Sequence, residues 1–252
     1  MSTVTSADGT TITVERFGDG PAVILIGGAF NDRSTVADLA KALAPDFAVH
    51  SYDRRGRGGS GDAPGHTLQR EIEDLAAVIE HAGGSACVFG HSSGAVLALE
   101  AARQGLPITK LAVYESPFAP HLGGLLEKLR ALVKEGRRDE AAVAFLTEGG
   151  GAPAEVVAGM QAGPTWGWFT GLAHTLPYDV ELCTTVRIES LATVNIPVLA
   201  IDGSESPPSL TVPTRAVAAT IPGARHLTMH GHDHSVLHYP EALAPVLREF
   251  LT

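Results

Sequence analysis

The run Gly90-His91-Ser92-Ser93-Gly94 constrains this chain more than any other short segment. It joins an apolar strand-like run, Ala86 to Phe89, to an Ala- and Leu-rich helical stretch, Ala95 to Arg103, so the backbone passes from strand to helix within a few residues. Glycines two positions either side of Ser92 let the strand and the helix pack closely, and the sharp turn between them predicts strained backbone angles that push the serine hydroxyl outward. A strand that feeds directly into a helix belongs to a sheet of parallel strands covered by helices.

The rest of the chain repeats that rhythm. Thr11 to Phe17 and Ala22 to Ile26 read as strands, Ser34 to Ala44 as a helix with Ser34 as its N-cap, and Phe47 to Tyr52 as the next strand. Leu68 to His81 is helical, with Ile72, Leu75, Val78 and Ile79 on one face and Gly83-Gly84 as the stop. Leu111 to Tyr114 is a further strand. From Phe118 to Ser190 only helical segments broken by Gly and Pro follow, after which strands return at Pro197 to Ile201 and near His226 to Met229. Helices are expected at Thr214 to Thr220 and at Pro240 to Phe250. The expected fold is therefore α/β, a mostly parallel central sheet flanked by helices. Residues 1–117 and 191–252 form its core, and 118–190 an inserted helical cap.

Composition excludes several partners. With 18 Lys and Arg against 28 Asp and Glu, the net charge of −10 repels a phosphate backbone and an anionic lipid surface, so neither nucleic acid nor a membrane is an expected partner. No apolar run approaches the roughly 20 residues of a bilayer span. The first residues lack the basic and apolar regions of a secretory signal, which predicts a cytoplasmic protein. Cys87 and Cys183 are too few for a disulfide framework and read as packing residues. A small-molecule substrate is the expected partner, and a homodimer is compatible with the chain.

From its first strand to its last helix the chain resembles the α/β-hydrolase family. The resemblance rests first on Gly90-His91-Ser92-Ser93-Gly94, which fits the G-x-S-x-G turn and implies Ser92 as nucleophile. Tyr52-Asp53-Arg54-Arg55-Gly56-Arg57-Gly58-Gly59-Ser60 is similar to the family's D-x-R-G-x-G-x-S turn, where Asp and Arg pin a loop rather than react. Leu25-Ile26-Gly27-Gly28-Ala29-Phe30 falls where the family has His-Gly and the oxyanion loop, with Gly27 in place of His. A tetrahedral oxyanion needs preorganised N–H donors; the resemblance assigns them to Ser93 and Ala29, with Phe30 as the alternative. Met229-His230-Gly231-His232-Asp233-His234 precedes the last helix, where the family carries its base. Both His232 and His234 satisfy that position, and His234 is chosen because Gly231 to His234 has the family's Gly-x-x-His spacing.

The third member of the triad departs from the pattern. The turn that usually carries the acid reads Gly203-Ser204-Glu205-Ser206, and a serine hydroxyl has no charge to offset a developing imidazolium. Glu115, after the strand ending at Tyr114, resembles the alternative acid position of haloalkane dehalogenases and is the first choice; Asp202 and Glu205 compete with it. The alternation of His230, His232 and His234 suggests zinc ligands, but the run is one residue short of the metallo-β-lactamase pattern and lies at the wrong end of the chain, so no metal is expected. Phe145, Trp166, Trp168, Phe169, Leu172 and Tyr178 lie in the cap, and Phe30, Trp166 and Trp168 are assigned to a mostly apolar substrate pocket.

The resemblance thus implies a cofactor-free serine hydrolase acting on a small, largely apolar ester, lactone or thioester through an acyl-enzyme on Ser92. Three alternatives stand beside it. The same fold hosts lyase, C–C cleavage and cofactor-free perhydrolase or haloperoxidase chemistry. The altered acid turn and the absent His-Gly suit a ligand-binding member with degraded catalysis. The histidine cluster would suit metal-dependent hydrolysis.

Overall fold

The computed structural model describes all 252 residues. In chain order the strands are β1 (Ser2–Thr5), β2 (Thr11–Phe17), β3 (Ala22–Ile26), β4 (Ala48–Tyr52), β5 (Ala86–His91), β6 (Ile108–Tyr114), β7 (Val198–Gly203) and β8 (Arg225–Met229). The helices flanking the sheet are α1 (Ala37–Leu43), α2 (Leu68–His81) and α3 (Ser93–Arg103). Between β6 and β7 come α4 (Gly123–Lys134), α5 (Arg138–Ala144), α6 (Ala154–Gln161), α7 (Trp166–Leu172) and α8 (Leu176–Thr185), with no strand among them. The last two helices are α9 (Pro208–Thr220) and α10 (Pro240–Leu251). None of these helices is long and apolar enough to cross a membrane.

The eight strands form one sheet in the order β1-β2-β4-β3-β5-β6-β7-β8. β1 and β2 are antiparallel, β2 and β4 likewise, and every pair from β4 to β8 is parallel. The parallel strands are apolar on both faces because helices cover both. Along β3, Val23 and Leu25 pack with α1 and α10, whereas Ile24 and Ile26 pack with α2 and α3. The same alternation of period two sends Cys87 and Phe89 to one side and Ala86 and Val88 to the other. Both cysteines are buried and free.

Local chemistry shifts a few of the expected boundaries. Asp32, not Ser34, caps the segment before α1: its carboxylate accepts from Ser34 N–H at 2.8 Å, a 3-10 turn spans Arg33–Val36, and the α-helix begins only at Ala37. α9 starts at Pro208 rather than Thr214, because Pro208 suits the first helical turn, and the helix runs on through Pro213. β1 has no apolar alternation and is recruited only as the antiparallel edge partner of β2.

Candidate active site

Because β3, β5, β6, β7 and β8 run parallel, the loops after them emerge at one edge of the sheet, and that edge gathers the polar residues of interest. The turn after β5 is as tight as its sequence demands. A Cβ on Gly90 would lie 2.6 Å from Gly94 O, and one on Gly94 would lie 2.6 Å from both Gly27 O and Ile26 O. Only glycine at these two places lets α3 leave β5 and press against β3.

Ser92 sits between them at φ 56° and ψ −126°, a conformation unfavourable for any residue with a side chain. Its N–H donates to Tyr114 O at 2.9 Å, and its carbonyl accepts from Ala95 N at 2.9 Å, which holds the strain in place. Phe30 (φ 57°) and Glu115 (φ 48°) are the other non-glycine residues with positive φ in the chain. All three lie at this sheet edge. Strain confined in this way marks a place where the surroundings over-determine the backbone for a purpose other than stability.

Glu115 is fully buried, and its carboxylate is divided between two donors. Oε2 accepts from His234 Nδ1 at 2.6 Å, and Oε1 accepts from the backbone N–H of Gly203 at 2.8 Å. The competing acids are engaged elsewhere. Asp202 is buried and accepts from Arg215 and from His226, at 3.0 and 2.9 Å, and Glu205 accepts from Ser204 Oγ at the surface. His232 turns its ring edge-on to Tyr239, with centroids 5.3 Å apart, and is not paired with a carboxylate. The loop after β8 leaves the extended conformation at Gly231 (φ 76°), so the alternation of His230, His232 and His234 does not align their rings, and no three His, Cys, Asp or Glu side chains meet in a metal-holding group.

Two residues that the sequence reading passed over hold the His234 loop. His91, just before Ser92, donates from Nε2 to His234 O at 2.9 Å, and the two rings lie 4.6 Å apart. Tyr114, just before Glu115, donates its hydroxyl to Asp233 O at 2.7 Å. Burial, together with the charge His234 would carry, pushes His91 down to about 3, so it is a neutral donor with Nδ1 unpartnered. Their signal in the sequence was positional: a strand residue with a polar tip, one place before a loop residue of interest.

The loop Gly27–Asn31 lies against the serine. A Cβ on Gly28 would stand 2.6 Å from Ser92 Cβ and 3.2 Å from its Oγ, so glycine is required there. A side chain at Gly27 would strike Asn31 Cβ at 2.7 Å, and Asn31 Oδ1 instead accepts from Gly28 N–H at 2.9 Å, which is the physical reason this chain has no room for the family's usual histidine. The N–H groups of Ala29 and Phe30 have no hydrogen-bond partner, and that of Ser93 opens α3, where no helical acceptor exists.

Beneath the loop lies a buried charged network. In the turn after β4, Asp53 accepts from the backbone of Arg33 and Gly59, each at 2.8 Å, and Arg55 is held by Asp74, a loop-pinning role as the turn motif implies. Arg54 and Arg57 reach further. Arg54 forks onto Glu71, and both arginines bond Asp179 of α8, Arg57 through two contacts of 2.8 Å. Burial opposes charge on Asp179, but Arg57 and Arg54 outweigh it and hold the carboxyl below its usual range. Glu71 and Asp74 share the inward face of α2, and acids on an otherwise apolar face were the sequence signal that buried arginines would meet them.

The three pocket assignments fare differently. Phe30 is buried, with its ring edge-on to Phe145 and Phe169 at 5.4 and 4.9 Å. Trp168 is 42% exposed, and its indole N–H donates to Phe30 O at 2.8 Å. Trp166 stacks on Phe169 and donates to Asp139, so it packs the helical segment against itself.

A model described as the alpha/beta hydrolase family matches residues 23–246. The chain is similar to an alpha/beta hydrolase of known structure from Sphaerobacter thermophilus, with 49% identity, 100% of both chains covered and a TM-score of 0.92. It shares its fold with a thermophilic esterase from Thermogutta terrifontis at 23% identity, covering 99% of this chain and 97% of that one, TM-score 0.78. An enol-lactonase from Burkholderia xenovorans has the same fold at 20% identity, covering 98% and 99%, TM-score 0.75. Comparison with curated proteins gave no match.

Proposed function

The chain belongs to the alpha/beta hydrolase family, and on that premise we propose that it is a cofactor-free serine hydrolase of small, largely apolar esters, lactones or thioesters. The observation that carries this reading is the buried Glu115 carboxylate at 2.6 Å from His234 Nδ1, on the same sheet edge as the strained Ser92. In the proposed reaction His234 Nε2 takes the Ser92 proton as Oγ attacks the carbonyl carbon, and Glu115 balances the imidazolium that forms. The backbone N–H groups of Ala29 and Ser93 hold the oxyanion. Collapse expels the alcohol or thiol, protonated by His234, and leaves an acyl group on Ser92. Water, activated by the same base, then frees the acid.

The apolar substrate class is supported by Phe30, Phe145 and Phe169, which cluster beside Ala29. Residues 118–190 act as the cap in this reading, and Trp166 supports the pocket wall from behind Phe169. That an esterase and an enol-lactonase share the fold is in keeping with ester and lactone substrates.

The experiment is labelling with a fluorophosphonate probe, located by peptide mass mapping, beside hydrolysis of p-nitrophenyl esters of rising chain length. Stoichiometric labelling at Ser92 with turnover is expected, both lost in Ser92→Ala. Full turnover by Ser92→Ala would overturn the reading.

A further inference from the structure

Four of the five carbonyl oxygens of the loop Gly27–Asn31 accept hydrogen bonds from side chains. Gly27 O accepts from Arg54 at 3.4 Å, Gly28 O and Asn31 O accept from Arg57, and Phe30 O accepts from Trp168 at 2.8 Å. A trans peptide sets its C=O and N–H in opposite directions, and the chain contains no cis peptide. Arg57 on Gly28 O therefore fixes where the Ala29 N–H points, which is away from the guanidinium. With Phe30 O also held, the peptides before Ala29 and after Phe30 are both anchored, and the Ala29–Phe30 pair between them has little freedom left.

The same carboxylate reaches the other proposed donor. Ser93 Oγ donates to Asp179 Oδ1 at 2.6 Å and accepts from Arg54 at 3.2 Å, so Asp179 touches the side chain of Ser93 and the arginine that orients Ala29. Asp179 and Trp168 both belong to the cap, on α8 and α7. Asp179 is 1% exposed and Arg57 is 1% exposed, so the network is shielded from the solvent that would otherwise loosen it.

We propose that Asp179, Arg57 and Trp168 are positioning residues through which the cap sets the oxyanion hole, so that the hole is complete only while the cap is seated. The inference rests on the serine-hydrolase reading and assigns these residues no contact with substrate. Trp168 in particular acts through its N–H on Phe30 O rather than as a wall of the pocket. Cap residues thus govern the rate of the acyl step and not only the choice of acyl chain.

The test compares the native chain with Trp168→Phe, which keeps an aromatic ring and deletes the donor, and with Asp179→Asn. Each is assayed for p-nitrophenyl butyrate hydrolysis and for inhibition by a trifluoromethyl ketone, which forms a tetrahedral oxyanion on the serine. Trp168→Phe is expected to lower kcat about tenfold with KM within about twofold, and to weaken the ketone by a similar factor; Asp179→Asn is expected to cost more. Competitive inhibition by 1-butanol, which has no carbonyl or carboxylate oxygen to place in the hole, should be the same in both variants as in the native chain. Unchanged kcat and ketone affinity in a folded Trp168→Phe would overturn the proposal, as would a raised KM with native kcat, the mark of a substrate-wall residue. Trp168 is half-exposed at the cap surface, so this variant stays informative even where Asp179→Asn fails to fold. Failure of the native chain to label at Ser92 with fluorophosphonate would instead remove the reading on which the proposal stands.

Discussion

Replacing Glu115 by Gln should leave the fold intact and remove nearly all activity, for a reason set by one backbone hydrogen bond. In the native site Oε1 accepts from Gly203 N–H at 2.8 Å and Oε2 accepts from His234 Nδ1 at 2.6 Å. A glutamine of the same shape has one oxygen and one NH2. Its oxygen must face Gly203, since the NH2 placed there would set donor against donor in a fully buried position. The NH2 then faces His234 Nδ1 and forces that nitrogen to accept, which moves the imidazole proton to Nε2. In that tautomer Nε2 cannot take the Ser92 proton. The equivalent wrong-tautomer change in serine proteases lowers kcat about 10⁴-fold, roughly 5.5 kcal/mol of barrier, and a similar loss is expected here. Stability should change by no more than about 1 kcal/mol, because the shape and the Gly203 bond survive. The assay is steady-state p-nitrophenyl ester hydrolysis beside urea unfolding, with Asp202→Asn as the control. Asp202 answers to Arg215 and His226, so that control should keep activity within about threefold. A Glu115→Gln chain with more than a tenth of native kcat/KM, or a collapse in Asp202→Asn instead, would refute the assignment. The double variant Ser92→Ala/Glu115→Gln should be no slower than Ser92→Ala, since members of one catalytic unit do not add.

Other consequences can be measured on the same material. His91→Leu removes the Nε2 donor from His234 O and should lower kcat about tenfold with little change in KM, whereas His91→Gln, which can still donate, should recover part of it. Since the fold holds His91 down to about 3, the unfolded chain takes up a proton that the folded chain refuses as pH falls from about 6.5 towards 3; stability drops over that window by up to about 1.4 kcal/mol per pH unit, a component that urea unfolding should find missing in His91→Gln. His66 behaves in the opposite sense: burial disfavours its charge, but Glu181 and Glu71, at 3.1 and 3.0 Å, prevail and raise it, so its contribution is full below about pH 6.5 and fades as pH rises through the raised value. Unfolding midpoints between pH 5.5 and 8.5 should therefore slope less in His66→Gln. Gly94→Ala places a methyl 2.6 Å from two carbonyl oxygens of β3 and its loop and should cost about 1–3 kcal/mol by thermal or urea unfolding.

Much of the molecule was open to reading from local signals. The apolar runs of β3, β5, β6 and β7 and the amphipathic face of α2 depend on residue spacing alone, and the structure places them within a few residues of expectation. The turn at Ser92 was legible because no residue but glycine at 90 and 94 tolerates the packing there. Glu115 was harder. It follows a strand like several other acids, and the usual acid turn carries serine, so its likeness to the alternative acid position of haloalkane dehalogenases put it ahead of Asp202 and Glu205, and only the fold brings its carboxylate to His234. The N-cap at Asp32 and the start of α9 at Pro208 were missed because a polar residue or a proline near a helix end suits more than one boundary.

The chain by itself determined a parallel sheet clad in helices, a sharp strand-to-helix turn holding Ser92, and a histidine loop ahead of the last helix. These follow from periodicity, glycine placement and the order of elements, which are properties of neighbours in sequence. Which carboxylate meets His234, which carbonyls His91 and Tyr114 grip, and how Asp179 comes to lie between Arg57 and Ser93 were decided only by the tertiary structure. Those contacts span 86 to 143 residues of chain, and their formation depends on the register of the parallel strands and the docking of α8, where burial leaves each charge or donor a single place to find its partner.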